Sequence, residues 1–129
     1  MDKLYISDHI FPNIKVAITD EEQSVGLMYQ KWPPPIMLFP NDNPKVSKFW
    51  MKNTPSPLDV IFCKSGKIIG IFYGKPNSTE CFGPNDFTDL VIEMPHGFVE
   101  EYNITLGNSI RTEYSVDTIV KLYKNSRHK

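Results

Sequence analysis

Two apolar, β-branched runs, Asp59–Cys63 and Lys67–Tyr73, stand on either side of Lys64-Ser65-Gly66. Strand-like runs joined by so short a turn-forming link predict an antiparallel hairpin. Ile36-Met37-Leu38-Phe39 is too short for a helix and apolar throughout, which predicts a buried strand, and Leu90–Met94 reads the same way. Ile14, Val16 and Ile18 alternate with Lys15, Ala17 and Thr19, the period of a half-buried strand. Leu4–Ile10 gives a weak strand closed by Pro12-Asn13, Val46–Lys52 a central strand, and Ser115–Tyr123 a last strand with Val116, Val120 and Leu122 on one face. Pro40–Pro44 and the long stretch Gly74–Asp86 read as loops.

Helical signals are fewer. Thr19-Asp20-Glu21-Glu22 fits a capping box, with acidic residues at the positive end of the helix dipole. The helix it opens should turn Val25, Met28 and Tyr29 toward the core and stop before Pro33-Pro34-Pro35. Pro95 is placed to open a short helix running to Tyr102, with Asn103 as a left-handed stop. Strands and helices do not alternate as βαβ units, so a doubly wound parallel sheet is not expected. The expected fold is α+β and mainly β: a small antiparallel barrel or rolled sheet with two short helices at its edges.

A chain of 129 residues is the size of one domain, here 1–129, and can fold without a metal or a disulfide framework. The formal net charge of −1 argues against a nucleic-acid footprint. The basic cluster Lys121, Lys124, Arg127 and Lys129 reads as a solvated C-terminal tail over 124–129. Cys63 lies in an apolar strand pattern and Cys81 in a loop, and their spacing leaves a bridge between them open. The residues after Met1 have no apolar core of a signal peptide, and no run is long enough to span a membrane. A soluble, cytoplasmic or intracellular protein without membrane insertion is expected.

Phe49-Trp50-Met51-Lys52-Asn53-Thr54, running through Pro55-Ser56-Pro57 into Leu58-Asp59, concentrates the polar and aromatic chemistry. Alternation puts Ser47, Phe49 and Met51 on one face and Lys48, Trp50 and Lys52 on the other. The binding reading uses Trp50 as a stacking platform, Lys48 and Lys52 for an anionic group, and Asn53, Thr54 and Asp59 for directional hydrogen bonds. The competing structural reading pairs Lys52 with Asp59 across the proline turn and lets Asn53 and Thr54 bond the local backbone.

Catalysis is the weaker option. It would need Cys63 with His96 and a carboxylate, or Asp59 with Glu93 or Glu101. His9, His96 and His128 lie far apart and no metal-ligand spacing or phosphate-binding glycine loop occurs, so no metal or cofactor is expected. A third reading makes the chain a component of an assembly, with Trp32, Phe82 and the Gly74–Asp86 stretch contacting a partner.

One resemblance follows from these residues. The order of Gly26-Leu27-Met28, Met37-Leu38-Phe39, the Phe49–Thr54 block, Pro57-Leu58-Asp59, Gly66, Ile92-Glu93-Met94-Pro95, Gly97 and Gly107 resembles domain-of-unknown-function family 192 over residues 14–122. The resemblance implies a small, mainly β domain with two short helices, and it brings no established activity, substrate or cofactor. Many bacterial members carry an N-terminal leader, and this chain is expected to depart from them in lacking one. Leaderless copies are similar to those of archaea and some bacteriophages, which implies an accessory role on a phage particle, virion-associated, as one alternative. The triple proline before Met37 departs from the family's more open turn.

Overall fold

A computed structural model describes residues 3–127, and the leader reading at Met1–Asp2 and the basic residue Lys129 with His128 lie outside these. The elements in order are β1 (Leu4–Ile6), β2 (His9–Phe11), β3 (Lys15–Val16), α1 (Asp20–Val25), β4 (Met37–Val46), β5 (Leu58–Lys64), β6 (Lys67–Gly74), β7 (Phe87–Pro95), α2 (Phe98–Glu101), β8 (Ile110–Thr112) and α3 (Val116–Arg127). They form two open sheets, β2-β1-β8 and β3-β4-β7-β5-β6, and not a closed barrel. The fold is α+β and mainly β.

The expected hairpin is present. β5 and β6 pair antiparallel from Leu58↔Gly74 to Lys64↔Lys67, and Ser65 and Gly66 both take positive φ, +50° and +77°. Positive φ at both central residues matches the turn twist to the strand twist. β7 is the central strand, antiparallel to both β4 and β5, while β3 adds to β4 in parallel through α1.

Side-chain alternation divides the large sheet between two cores. Leu38, Ile61, Cys63, Leu90, Ile92 and Met94 point to one face, packed against Leu4, Ile6 and Phe11 of the small sheet and against α2. Phe39, Leu58, Val60, Phe62 and Val91 point to the other, covered by Leu27, Met51, Phe49 and Phe82 from connecting segments. Apart from the short helix α1 at its edge, irregular chain closes this second face among the described residues, and that is where the cavity lies.

Several expectations are corrected. The Val46–Lys52 segment is not a ladder strand: β4 carries the chain through the supposed Pro40–Pro44 loop with a register shift between Pro40 and Lys45, and beyond Val46 only Phe49 bridges, to Phe82. The alternation survives nonetheless, with Ser47 and Met51 buried and Lys48, Trp50 and Lys52 exposed. α1 has its capping box, Thr19 accepting from the Glu22 amide, but it ends at Gly26, so Val25 and Tyr29 are exposed and Leu27 is the buried residue.

Pro95 closes β7, and α2 starts only at Phe98. Ser115–Tyr123 is helical: Ser115 Oγ accepts from the Thr118 amide, and Ile119 and Val120 pack on Ile18 and Val16 while Leu122 faces solvent. The tail residues Lys121 to Arg127 therefore belong to α3, where Lys121 pairs with Asp117 at 3.0 Å. Cys63 is buried and Cys81 exposed, both free thiols. Among the described residues no helix is long and apolar enough to cross a membrane.

Candidate functional site

On the second face a cavity of about 500 Å³ opens between α1 with its following turn and the Lys45–Trp50 segment, within the roughly 300–1,000 Å³ usual for small-molecule sites. Its floor is Glu93 on central strand β7, flanked across the sheet by Met37 on β4 and Val60 on β5. Glu93 is only 4% exposed. Burial, with no compensating hydrogen bond from the described residues, pushes its carboxyl up to about 8. The lining also holds Ser47, likewise buried, whose hydroxyl is the one buried side-chain polar atom without a hydrogen-bond partner among the described residues. Buried polar groups are nearly always paired, so an enclosed free hydroxyl and a buried carboxyl lining one cavity need an explanation.

The backbone is shaped to leave that floor open. Gly26 ends α1 at φ +49° and ψ −122°, a conformation only glycine adopts readily. A Cβ there would stand 3.4 Å from the Phe39 ring and 3.6 Å from Glu93 Oε1, so the turn presses bare backbone against the carboxyl. The opposite wall is tied from behind: Phe49 and Phe82 exchange backbone hydrogen bonds of 2.9 and 2.8 Å, and the Met51 amide donates to Ser78 O at 2.9 Å. Phe39 and Phe49 meet edge to face at 5.0 Å and with Trp50 give the cavity its aromatic side.

The sequence-derived site residues separate here. Lys48, Trp50 and Thr54 line the cavity. Lys48 Nζ, however, donates to Gly83 O, Pro84 O and Asn85 Oδ1, so its charge anchors the loop between β6 and β7. Lys52 lies 5.2 Å from the Trp50 ring centroid and does not pair with Asp59. Asn53 takes a left-handed φ of +55° and accepts from the Tyr29 amide, while Thr54 Oγ1 donates to Lys52 O.

Asp59 alternates onto the first face of β5, away from the cavity. Its Oδ2 accepts from the Gly97 and Val99 amides at 3.0 Å each, and Oδ1 lies 2.8 Å from His96 Nδ1. Asp59 thus caps α2, whose Gly97 has no side chain to do so. Asp59→Ala would leave two amides without acceptors and is expected to cost about 2 kcal/mol, read by urea unfolding. A variant as stable as the parent would remove this structural assignment.

The conjectured catalytic pairs do not form. Asp59 and Glu93 face opposite sides of the sheet, and Cys63 sits four residues further along β5 from the Asp59–His96 pair, where burial pushes its thiol up and away from reactivity. Among the described residues no three His, Cys, Asp or Glu side chains gather as metal ligands. Glu93 as a buried floor was missed, yet a signal exists: a lone carboxylate inside Leu90-Val91-Ile92-Glu93-Met94, a run apolar enough for a central strand, has no solvent face to point to.

Fold and cavity together define a class: a two-sheet, mainly β domain with an acid-floored pocket closed by irregular chain. The family model DUF192, described as "Uncharacterized ACR", matches residues 5–112, and the chain belongs to this family. The match covers every element except α3. A crystallised protein of unknown function from Novosphingobium aromaticivorans DSM 12444 is similar at 25% identity and a TM-score of 0.79, over 85% of this chain and 84% of that one. A candidate transcription regulator from Sinorhizobium meliloti 1021 is similar at 26% identity and a TM-score of 0.78, over 85% and 92%. No curated protein matches.

Proposed function

We propose that this domain is a non-catalytic binding module that takes a small molecule into the cavity above Glu93. The observation that carries the reading is the coincidence, in the lining of one open cavity, of a buried carboxyl that no hydrogen bond from the described residues compensates, Glu93, and an enclosed hydroxyl without a partner, Ser47. Folding alone gives no reason to keep either group, because the Ser47 hydroxyl loses its water and the Glu93 carboxyl most of its own without a compensating partner among the described residues. A ligand that hydrogen-bonds both would satisfy them at once, with Trp50 and Phe49 as its apolar bed and Thr54 a further polar contact. Catalysis has less support, since no nucleophile or second titratable group faces Glu93 within hydrogen-bonding reach in the contacts among described residues.

The anionic ligand expected from Lys48 and Lys52 is less well supported than a hydrogen-bond donor, because Lys48 is engaged and Lys52 lies over Trp50 outside the lining. Asn53 is better read as holding the turn, Lys52 as covering Trp50 and Asp59 as capping α2.

Native mass spectrometry of gently purified protein tests the proposal, with Ser47→Leu, which fills the cavity wall, as the control. The parent is expected to carry an adduct of small-molecule mass that folded Ser47→Leu lacks. An adduct equally present in both, or a bare parent, would count against the cavity. A second reading, an accessory part of a larger assembly, is favoured by Tyr29 and Trp32, 75% and 55% exposed. In the same spectra its mark is a bound protein that Trp32→Ser releases. Phe82 does not contribute to that surface, since it folds back on Phe62 and Phe72.

A further inference from the structure

We infer that the ligand of this cavity presents a protonated amine, which seats against the Glu93 carboxylate with the aromatic side chains of Phe39, Phe49 and Trp50 around its stem. This inference rests on the binding reading above and adds the chemical class. The floor is a carboxyl with unused acceptor sites, and elsewhere in the lining the Ser47 hydroxyl can accept as well. An ammonium group brings three donors and no acceptor, so it suits the ionised carboxylate, whereas an anion would meet that carboxylate with like charge. Aromatic faces add to the preference, because their negative faces attract a desolvated cation.

The other charged groups around Glu93 do not reverse this. From α1, Asp20 stands at the cavity mouth, and the Glu22 carboxylate is taken up by the Ile18 and Thr19 amides. From the opposite wall come Lys45, exposed and screened by solvent, and Lys48, which is held by three oxygens of the loop between β6 and β7. The cross-strand neighbours on β4 and β5, Met37 and Val60, carry no charge. The deep end of the cavity is therefore acidic, and only its mouth is mixed.

A proton balance follows. The empty site keeps Glu93 protonated below about pH 8. Seating an ammonium on the carboxylate requires that proton to leave to solvent, and the N–H⁺ to O⁻ contact replaces the O–H bond. Binding should strengthen as pH rises from 6 to 8, by roughly 50-fold for one proton released, as linkage requires.

The test uses the full chain and a probe set of matched size: n-butylammonium, n-butanol and butyrate, with α-N-acetyl-lysine methylamide as a peptide-borne amine. Titrations at pH 6, 7 and 8 are followed by amide chemical shifts at Gly26 and Trp50 and by calorimetry in buffers of different ionisation enthalpy. Expected results are amine binding with shifts at both residues, release of one proton, and loss of amine binding in Glu93→Gln while the fold is kept.

Tighter binding of the lysine derivative than of n-butylammonium would identify a protein-borne lysine as the source of the amine, and the reverse a free amine. Butanol or butyrate shifting the same residues while the amines do not would overturn the amine but keep the cavity as a binding site. Absence of any shift with all four probes would overturn both.

Discussion

Phe62→Ala is expected to lower the stability of the fold by about 3–5 kcal/mol, the cost of removing a fully buried aromatic ring. Phe62 is the hub of the second core. Its ring meets Phe49 at 5.6 Å, Phe72 at 5.4 Å and Phe82 at 6.4 Å, each close to perpendicular. Edge-to-face pairs add to area burial, so the loss falls toward the upper end of that range. Collapse cannot fill the gap easily. Gly83 packs its bare Cα side against the ring, where a Cβ would stand 3.2 Å away, and the Ser47 carbonyl would lie 2.6 Å from the same Cβ.

The ring therefore holds together the hairpin strand, the loop that reaches Phe82 and the wall that carries Ser47 and Phe49. Urea denaturation reads the effect as a fall in midpoint at unchanged slope. A cost under about 1 kcal/mol would mean the second face does not depend on this aromatic cluster. Because Phe49 also forms the cavity wall, the same variant should weaken any cavity ligand without touching it directly.

Much of this architecture was legible in the residues, and what was missed shares a cause. The β5–β6 hairpin was readable because Ser65-Gly66 carries its own backbone instruction, independent of the rest of the fold. The α1 capping box was readable for the same reason, as Thr19 and Glu22 satisfy each other's backbone within four residues. α3 was misread as a strand because Val116, Thr118, Ile119 and Val120 are β-branched. Their helical spacing with Tyr123 and the Ser115 cap outweigh that preference once Ile18 offers a surface to bury against.

The Val25, Met28 and Tyr29 stripe failed at Gly26, which breaks the helix before the stripe is complete. The site was half legible. Trp50 and Thr54 were placed by local pattern, but Asp59 was grouped with them by nearness in sequence, and the pleat of β5 sends it to the other face. Register decides such questions, and it depends on β7, where the partner of Asp59 is Met94, far downstream in the chain.

Glu93→Gln is expected to stabilise the protein by roughly 2–4 kcal/mol at pH 8 and to leave it nearly unchanged at pH 4. In the unfolded chain the carboxyl gives up its proton near the ordinary value of 4.5, but in the fold burial holds that proton to about 8. Between these values the folded state binds more protons than the unfolded state, so stability falls as pH rises. The loss starts near pH 4.5 and is complete above about pH 8. At about 1.4 kcal/mol per unit the full span would exceed the expected figure, and the opening of the cavity to solvent brings it down.

Glutamine keeps the volume and an acceptor but has no charge to desolvate, so its stability should lack this slope. Urea midpoints of both proteins at pH 4, 6 and 8 decide the matter, and parallel profiles would mean that Glu93 titrates as an exposed carboxyl does. A residue whose neutral replacement strengthens the fold is held there at the fold's expense, a pattern expected where stability is traded for a working site. Saturation with the amine should then reverse the order at pH 8, because a ligand bound only to the folded parent adds to its stability in proportion to the logarithm of its concentration.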